Sequence, residues 1–149
     1  MEVFEASVED ASVILAIQKE AYISEAQLHD DFEIPPLTQT LAELEAEFGK
    51  RRIVKIVIDG KIVASGQATL FNSTCQIGRM AVTPQLKGKG IGSTLLSELE
   101  LSFREANRIE LFTGINSTAN LAMYSHRGYK PFKQKKLGCT TLVFLEKLL

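Results

Sequence analysis

The 149-residue sequence predicts an α/β domain with a mixed, mostly antiparallel central sheet of about seven strands and helices on both faces. Three observations carry that expectation. Strand-like and helix-period runs alternate along the chain in the order βαα-βββ-α-β-α-ββ. Asp59-Gly60, between "IVKIVI" and "KIVASGQATLF", is a strong short hairpin signal because both turn residues tolerate positive φ, so that pair of strands is antiparallel. A strand, "TCQIGRMAV", runs through a glycine-rich turn directly into an amphipathic helix.

Taken in order, "EVFEA" reads as a short strand, and "SVED" at Ser7 to Asp10 resembles a capping box. Behind it, Ala11, Ile14, Leu15, Ala21 and Tyr22 share one helical face. Residues 24–39, "SEAQLHDDFEIPPLTQ", are polar and acidic with a double proline, which predicts the longest loop or a broken helix. Thr40 with Glu43 can cap a second helix through Leu41, Leu44 and Phe48. The hairpin follows, then Asn72-Ser73 and the strand "TCQIGRMAV". Ile91, Leu95, Leu96, Leu99 and Phe103 set an apolar stripe on the helix behind the glycines. "RIELFTGI" is a strand, "STANLAMYSHRG" a short helix stopped by Gly128, and "YKPFKQ" and "TTLVFLEKL" the last two strands. No repeat or linker divides residues 1–149, so a single domain is expected.

Composition narrows the function classes. The hydrophobic content of 45% suits one sizeable core. A net charge of −1 and a pI near 6.1 give no bulk attraction to nucleic acid or to an anionic membrane, so neither is an expected partner. The acidic start "MEVFEASVEDAS" lacks the basic and apolar regions of a signal peptide, and no apolar run nears the ~20 residues of a span. A cytoplasmic location is the expectation. Cys75 and Cys139 are too few for a disulfide framework or a zinc cluster; both sit in strand-like runs and are expected to be buried small hydrophobes. No metal is expected.

The stretch that carries chemistry is "GRMAVTPQLKGKGIGSTLLSELE", residues 78–100. A strand that enters a helix through glycines presents unpaired N–H groups and a positive dipole end, which suits a phosphate. Gly88, Gly90 and Gly92 alternate, with Lys87 and Lys89 between and before them. The spacing fits neither nucleotide fingerprint: no lysine follows Gly92 as a Walker loop needs, and position 93 is Ser where a Rossmann turn wants its third glycine.

At these residues the chain resembles the Gcn5-related N-acetyltransferases (GNAT). "VTPQLKGKGIG" follows their signature, with Lys87, Gly90 and Gly92 on pattern positions. "FTGINSTANLAMYSHRGYKPF", residues 112–132, is similar to their second acetyl-coenzyme A segment, matching at Asn120, Tyr124 and Gly128-Tyr129. The likeness spans nearly the whole chain. One departure is Lys87, where the family usually has Arg or Gln; lysine keeps the charge and loses the planar fork.

The resemblance implies a GNAT-like domain that takes acetyl-CoA as cosubstrate and passes its acetyl group to an amine by direct attack in a ternary complex. It implies that the diphosphate rests on the amides of residues 87–93, that is Lys87, Gly88, Lys89, Gly90, Ile91, Gly92 and Ser93. It implies that pantetheine pairs with the strand at Met80, Ala81 and Val82, where this splays from residues 108–114. Met80 or Val82 N–H is the implied oxyanion donor and Tyr124 the implied general acid. Asn120, Tyr124 and Arg127 lie at i, i+4, i+7, one helical face, and are expected to meet the same ligand. The competing readings are a capping amide for Asn120 and a half-buried structural phenol for Tyr124. A non-catalytic acetyl-CoA-binding module would share the loop and need no acid at 124. His29, in "QLHDDFE", is expected to be solvated, Gln76 and Arg79 to be sheet-surface residues, and no carboxylate stands out as a base. Glu25, Asp30, Asp31 and Glu33 would favour a cationic acceptor if they faced the cleft, and solvated charge is the preferred reading. The acceptor amine is unspecified, and a homodimer remains open.

Overall fold

The computed structural model describes residues 1–149. The strands are β1 (Glu2–Glu5), β2 (Arg52–Ile58), β3 (Lys61–Phe71), β4 (Thr74–Val82), β5 (Arg108–Gly114), β6 (Lys130–Leu137) and β7 (Thr140–Leu148). The helices are α1 (Ala11–His29), α2 (Pro35–Thr38), α3 (Leu41–Glu47), α4 (Ile91–Glu100) and α5 (Thr118–His126). The strands form one seven-stranded sheet in the order β1-β2-β3-β4-β5-β7-β6. Every neighbouring pair is antiparallel except β4 and β5. No helix is long and apolar enough to cross a membrane.

Local chemistry sets the turns. Asp59 and Gly60 both have positive φ, as do Asn72 and Ser73, so two such two-residue turns join β2 to β3 and β3 to β4. Thr40 and Glu43 cap α3 reciprocally: Thr40 N–H donates to Glu43 Oε1 at 2.8 Å and Glu43 N–H to Thr40 Oγ1 at 3.2 Å.

Two cores lie on the two faces of the sheet. Ile91, Leu95, Leu96 and Leu99 of α4 pack with Val54, Ile56, Ala64, Ala68, Cys75, Ile109 and Leu111. Leu95, Leu96 and Leu99 are fully buried, each contributing about 2 kcal/mol of apolar transfer. On the other side, Ala11, Ile14, Leu44 and Ile53 join α1 and α3 to β2. With a helix on each face, β3 is buried continuously from Val63 to Ala68 instead of alternating.

Of the two readings of residues 24–39, a loop or a broken helix, the second is the one found: α1 continues to His29 and stops where Asp30 takes a left-handed conformation, and α2 is a single turn begun by Pro35 and Pro36. One expectation needs correction here. Cys139 is exposed in the turn between β6 and β7, while Cys75 is buried as expected, and burial pushes its thiol up to about 11.

Candidate active site

The one parallel pair opens the sheet. β4 and β5 are in register only over Thr74–Gln76 and Arg108–Glu110, and beyond that point they part. The cleft between them has a volume of about 580 Å³ and runs from the turn before α4 to the C-terminal half of α1.

Its wall on β4 is shaped by a bulge. Ser65 and Gln67 on β3 face Ala81 and Gly78 on β4, so β4 carries an extra residue there, and Arg79 has φ +51°. Thr83 N–H donates to Val63 O at 2.8 Å. Alternation along the strand then turns the N–H of Val82 to the cleft edge. Met80, Ala81 and Val82 all line the cleft.

The end at α4 is a ring of free amides. Gly90 is the N-cap with φ +81° and supplies no side-chain cap, and the first bond of the helix is Thr94 N–H to Gly90 O at 3.1 Å. The N–H groups of residues 88–93 thus have no protein acceptor, which a helix N-terminus without a cap leaves for an anion. The Lys87 amide is excluded from that set, since it donates to Pro84 O at 3.3 Å. Lys87 contributes its side chain, whose Nζ reaches Ser24 Oγ at 3.3 Å across the mouth. Gly88, Ile91 and Ser93 line the cleft with Gly90 and Gly92; Lys89 is not part of its lining.

Tyr124, on α5, is buried, with its ring 5.9 Å from that of Tyr129. No protein group hydrogen-bonds its hydroxyl, which is not sealed from the cleft it lines. Burial raises its pKa well above the usual phenol value, and the nearby Tyr22 and Glu25 act in the same direction. Asn120, one turn earlier, donates from Nδ2 to Glu25 Oε1 at 3.1 Å and to Thr113 Oγ1 at 3.2 Å. Arg127 does not join this face. It caps the end of α5 and reaches α4, donating to Ser93 Oγ at 2.8 Å, Ser97 Oγ at 2.7 Å and Glu100 Oε1 at 2.9 Å. The Gly128-Tyr129 pair belongs to the same clamp, since Tyr129 donates to Glu100 Oε2 at 2.8 Å.

The other side of the cleft comes from the C-terminal half of α1, whose Glu25 and His29 are expected from sequence to be solvated. Tyr22, Glu25 and His29 lie on one face of α1 and line the cleft. Burial pushes the Tyr22 hydroxyl up to about 12, against the pull of Arg79 and with that of Glu25. His29 is buried, not solvated: its Nδ1 donates to Glu25 O at 2.9 Å and its Nε2 accepts from Asn116 N–H at 3.0 Å. That pattern fixes a neutral imidazole with the proton on Nδ1. Ser117 Oγ donates to Glu25 Oε2. Arg79 also lines the cleft, held by Gln39 Oε1 at 3.2 Å, whereas Gln76 lies on the exposed sheet surface as expected. Asp31 ties the end of α1 to β7, accepting from Thr140 Oγ1 at 2.9 Å. The i, i+3, i+7 spacing of Tyr22, Glu25 and His29 was the available signal for this face.

A parted strand pair, a turn of free amides and a buried phenol thus share one cleft. The Acetyltransferase (GNAT) family model matches residues 14–129, and the chain belongs to that family. Among solved structures, it is similar to the PaiA N-acetyltransferase of Thermoplasma acidophilum, solved in complex with coenzyme A. That match has a TM-score of 0.83 and 15% identity, covering 99% of this chain and 98% of that one. The ribosomal-protein-S18-alanine N-acetyltransferase of Escherichia coli matches with TM-score 0.81 and 15% identity, over 99% and 92% of the two chains. At these identities the likeness is one of fold. A curated relative, the UPF0157 protein YqkA of Bacillus subtilis (strain 168), is 28% identical over 120 residues, 80% of this chain. The chain spans 34% of that relative's length.

Proposed function

We propose that the chain is an N-acetyltransferase that moves the acetyl group of acetyl-CoA to a primary amine while both are bound, with Tyr124 as general acid. The observation that carries this reading is the placement of the unbonded Tyr124 hydroxyl in the same cleft as the free amides of residues 88–93. Those amides fit a diphosphate. Nothing stands within 4 Å of where a Cβ would lie at Gly88, Gly90 or Gly92, so a phosphate can approach the backbone there.

Acetyl-CoA supplies a thioester carbonyl; the chain's own groups do the rest. Lys87 adds a mobile positive charge at the diphosphate end. Met80 or Val82 offers the N–H donor on the open edge of β4, where an extended arm can pair with the strand and where a carbonyl oxygen gaining charge can be stabilised. Ala81 and Ile91 pack the cleft wall beneath them. Ser93 and Asn120 line the same cleft. Tyr124 keeps its proton at Oη through neutral pH, because burial raises it, and delivers it to the sulfur as the carbon–sulfur bond breaks. The amine, having given up its ammonium proton to solvent, bonds through its nitrogen lone pair to the acetyl carbon as the carbon–sulfur bond breaks, and the N–H proton it then loses returns through solvent to Tyr124, leaving an amide and CoA as the free thiol.

The test is incubation of the protein with acetyl-CoA and a library of primary amines, followed by mass spectrometry for products heavier by one acetyl group. An acetylated amine whose yield tracks enzyme concentration is the expected result. Tight CoA binding with no acetylated amine would overturn the reading in favour of a binding module.

A further inference from the structure

We propose that Glu25 is the seat for the ammonium of the acceptor, and that the acceptor carries a single positive charge on an apolar body. This rests on the acetyltransferase reading above and specifies its second substrate.

Glu25 is the one carboxylate lining the cleft. Its side chain is 21% exposed, so it is largely withdrawn from water, yet no lysine or arginine pairs with it. Other partly buried carboxylates do have such partners: Asp10 with Lys55, Glu98 with Arg52, Glu146 with Arg108 and Glu100 with Arg127. The nearest basic group to Glu25 is His29, with Nδ1 at 3.9 Å, and its hydrogen bonds hold it neutral. A half-buried carboxylate with no lysine or arginine in ion-pair contact is costly to maintain, and an incoming ammonium supplies that contact.

The carboxylate is also held in place. Ser117 Oγ binds Oε2 and Asn120 Nδ2 binds Oε1, which uses two of about four acceptor positions and leaves the others for an ammonium. Through Asn120 the seat is coupled to α5, one turn before Tyr124, so an amine seated there lies on the side of the phenol.

The surroundings choose the rest of the acceptor. Where Asp31 ties α1 to β7, the cleft is lined by Ile34, Pro35, Phe112, Leu137 and Leu142. Lys135 stands opposite Leu142 in the register of β6 and β7, and Arg79 also lines the cleft. A second ammonium on the acceptor would find apolar wall and like charge.

Calorimetry on the CoA-saturated protein tests this with three probes: phenethylamine, its uncharged isostere phenethyl alcohol, and the triamine spermidine. Phenethylamine should bind roughly 10-fold or more tighter than either of the others. Glu25→Gln should remove the preference for ammonium over alcohol while CoA affinity and melting temperature stay unchanged. Glu25→Asp, which keeps the charge, should retain part of the preference. An amine preference that survives in Glu25→Gln, a triamine that outbinds the monoamine, or no binding of any probe would overturn the seat. Turnover separates the two proposals. Glu25-dependent binding without acetylation removes the enzyme reading and leaves the seat, whereas equal acetylation by wild type and Glu25→Gln does the reverse.

Discussion

The imidazole of His29 occupies the space in which residue 114 would carry a side chain: a Cβ on Gly114 would stand 2.2 Å from both Cε1 and Nε2 of the ring. Glycine at the end of β5 is therefore what lets α1 lie against the strand and keep Tyr22 and Glu25 in the cleft. Gly114→Ala should destabilise the domain by about 1–3 kcal/mol, the usual range for overpacking, and weaken the amine site more than the CoA site. Combining it with His29→Ala should recover part of the melting temperature lost. Additive losses in the double variant would show that the two residues do not share this contact.

Gly92→Glu tests the diphosphate cradle more cleanly than a change at Gly90, whose φ of +81° strains any side chain. Position 92 lies inside the first turn of α4 with open space before it, so the fold should tolerate glutamate, and the helix dipole favours an acid there. CoA binding should nevertheless be lost, because the carboxylate stands where phosphate charge must sit. Calorimetry showing undiminished CoA affinity in the folded variant would remove the cradle.

Lys87 contributes charge without backbone, since its amide is already taken by Pro84 O. Lys87→Ala should weaken CoA several-fold at low ionic strength, less at high salt, and barely at all for pantetheine lacking phosphate. An equal loss for both ligands would assign the side chain to the Ser24 contact at 3.3 Å instead.

How far the sequence foretold all this depends on the range of the forces involved. The turn at Asp59-Gly60, the box at Thr40 and Glu43, and the glycine loop are decided within four or five residues, so they could be read directly. The Tyr22, Glu25 and His29 face showed only its helical spacing, not what it packs against. Its composition is polar because its partners are polar and distant: Asn116 and Ser117 lie 87 and 92 residues from His29 and Glu25. Acidic, proline-flanked residues resemble a loop until those partners are known. Arg127 has the helical spacing of a cleft residue, but the carboxylate of Glu100 on α4 draws it away, a tertiary choice that periodicity does not contain.

Glu100 gathers Arg127, Tyr129 and Lys147 around one carboxylate and thereby joins α4, α5 and β7. Burial alone would raise its carboxyl, but hydrogen bonds from Tyr129 and Arg127 outweigh that and hold it below its ordinary value of 4.5. A carboxyl depressed in the folded state stabilises above the unfolded value and loses that contribution as pH falls through the folded one. Glu100→Gln should cost roughly 1–3 kcal/mol at neutral pH and flatten the fall in melting temperature below about pH 4.5. An unchanged acid slope in the variant would place the acid sensitivity elsewhere, for instance at Asp10 beside Lys55.

The last prediction decides between enzyme and binding module. Two phenols line the cleft, Tyr22 and Tyr124, and burial raises both, so both are protonated at neutral pH. They differ in place: Tyr124 follows Asn120 by one turn of α5 and is nearly sealed by the core, while Tyr22 lies on α1 beside Arg79 and Glu25. Tyr124→Phe keeps the ring against Tyr129 and deletes only a hydroxyl that no protein group binds, so folding and acetyl-CoA affinity should stay near wild type. The rate of acetyl transfer should fall by about 10²-fold or more, the scale for a positioned general acid. Tyr22→Phe should change the amine KM and leave the chemical step largely intact. A raised hydroxyl also stays protonated further into alkali, so wild-type kcat should not lose the acid below about pH 10. If Tyr124→Phe turned over phenethylamine at the wild-type rate while Tyr22→Phe did not, the proton donor would be the phenol of α1, and Tyr124 would be a packing residue of α5.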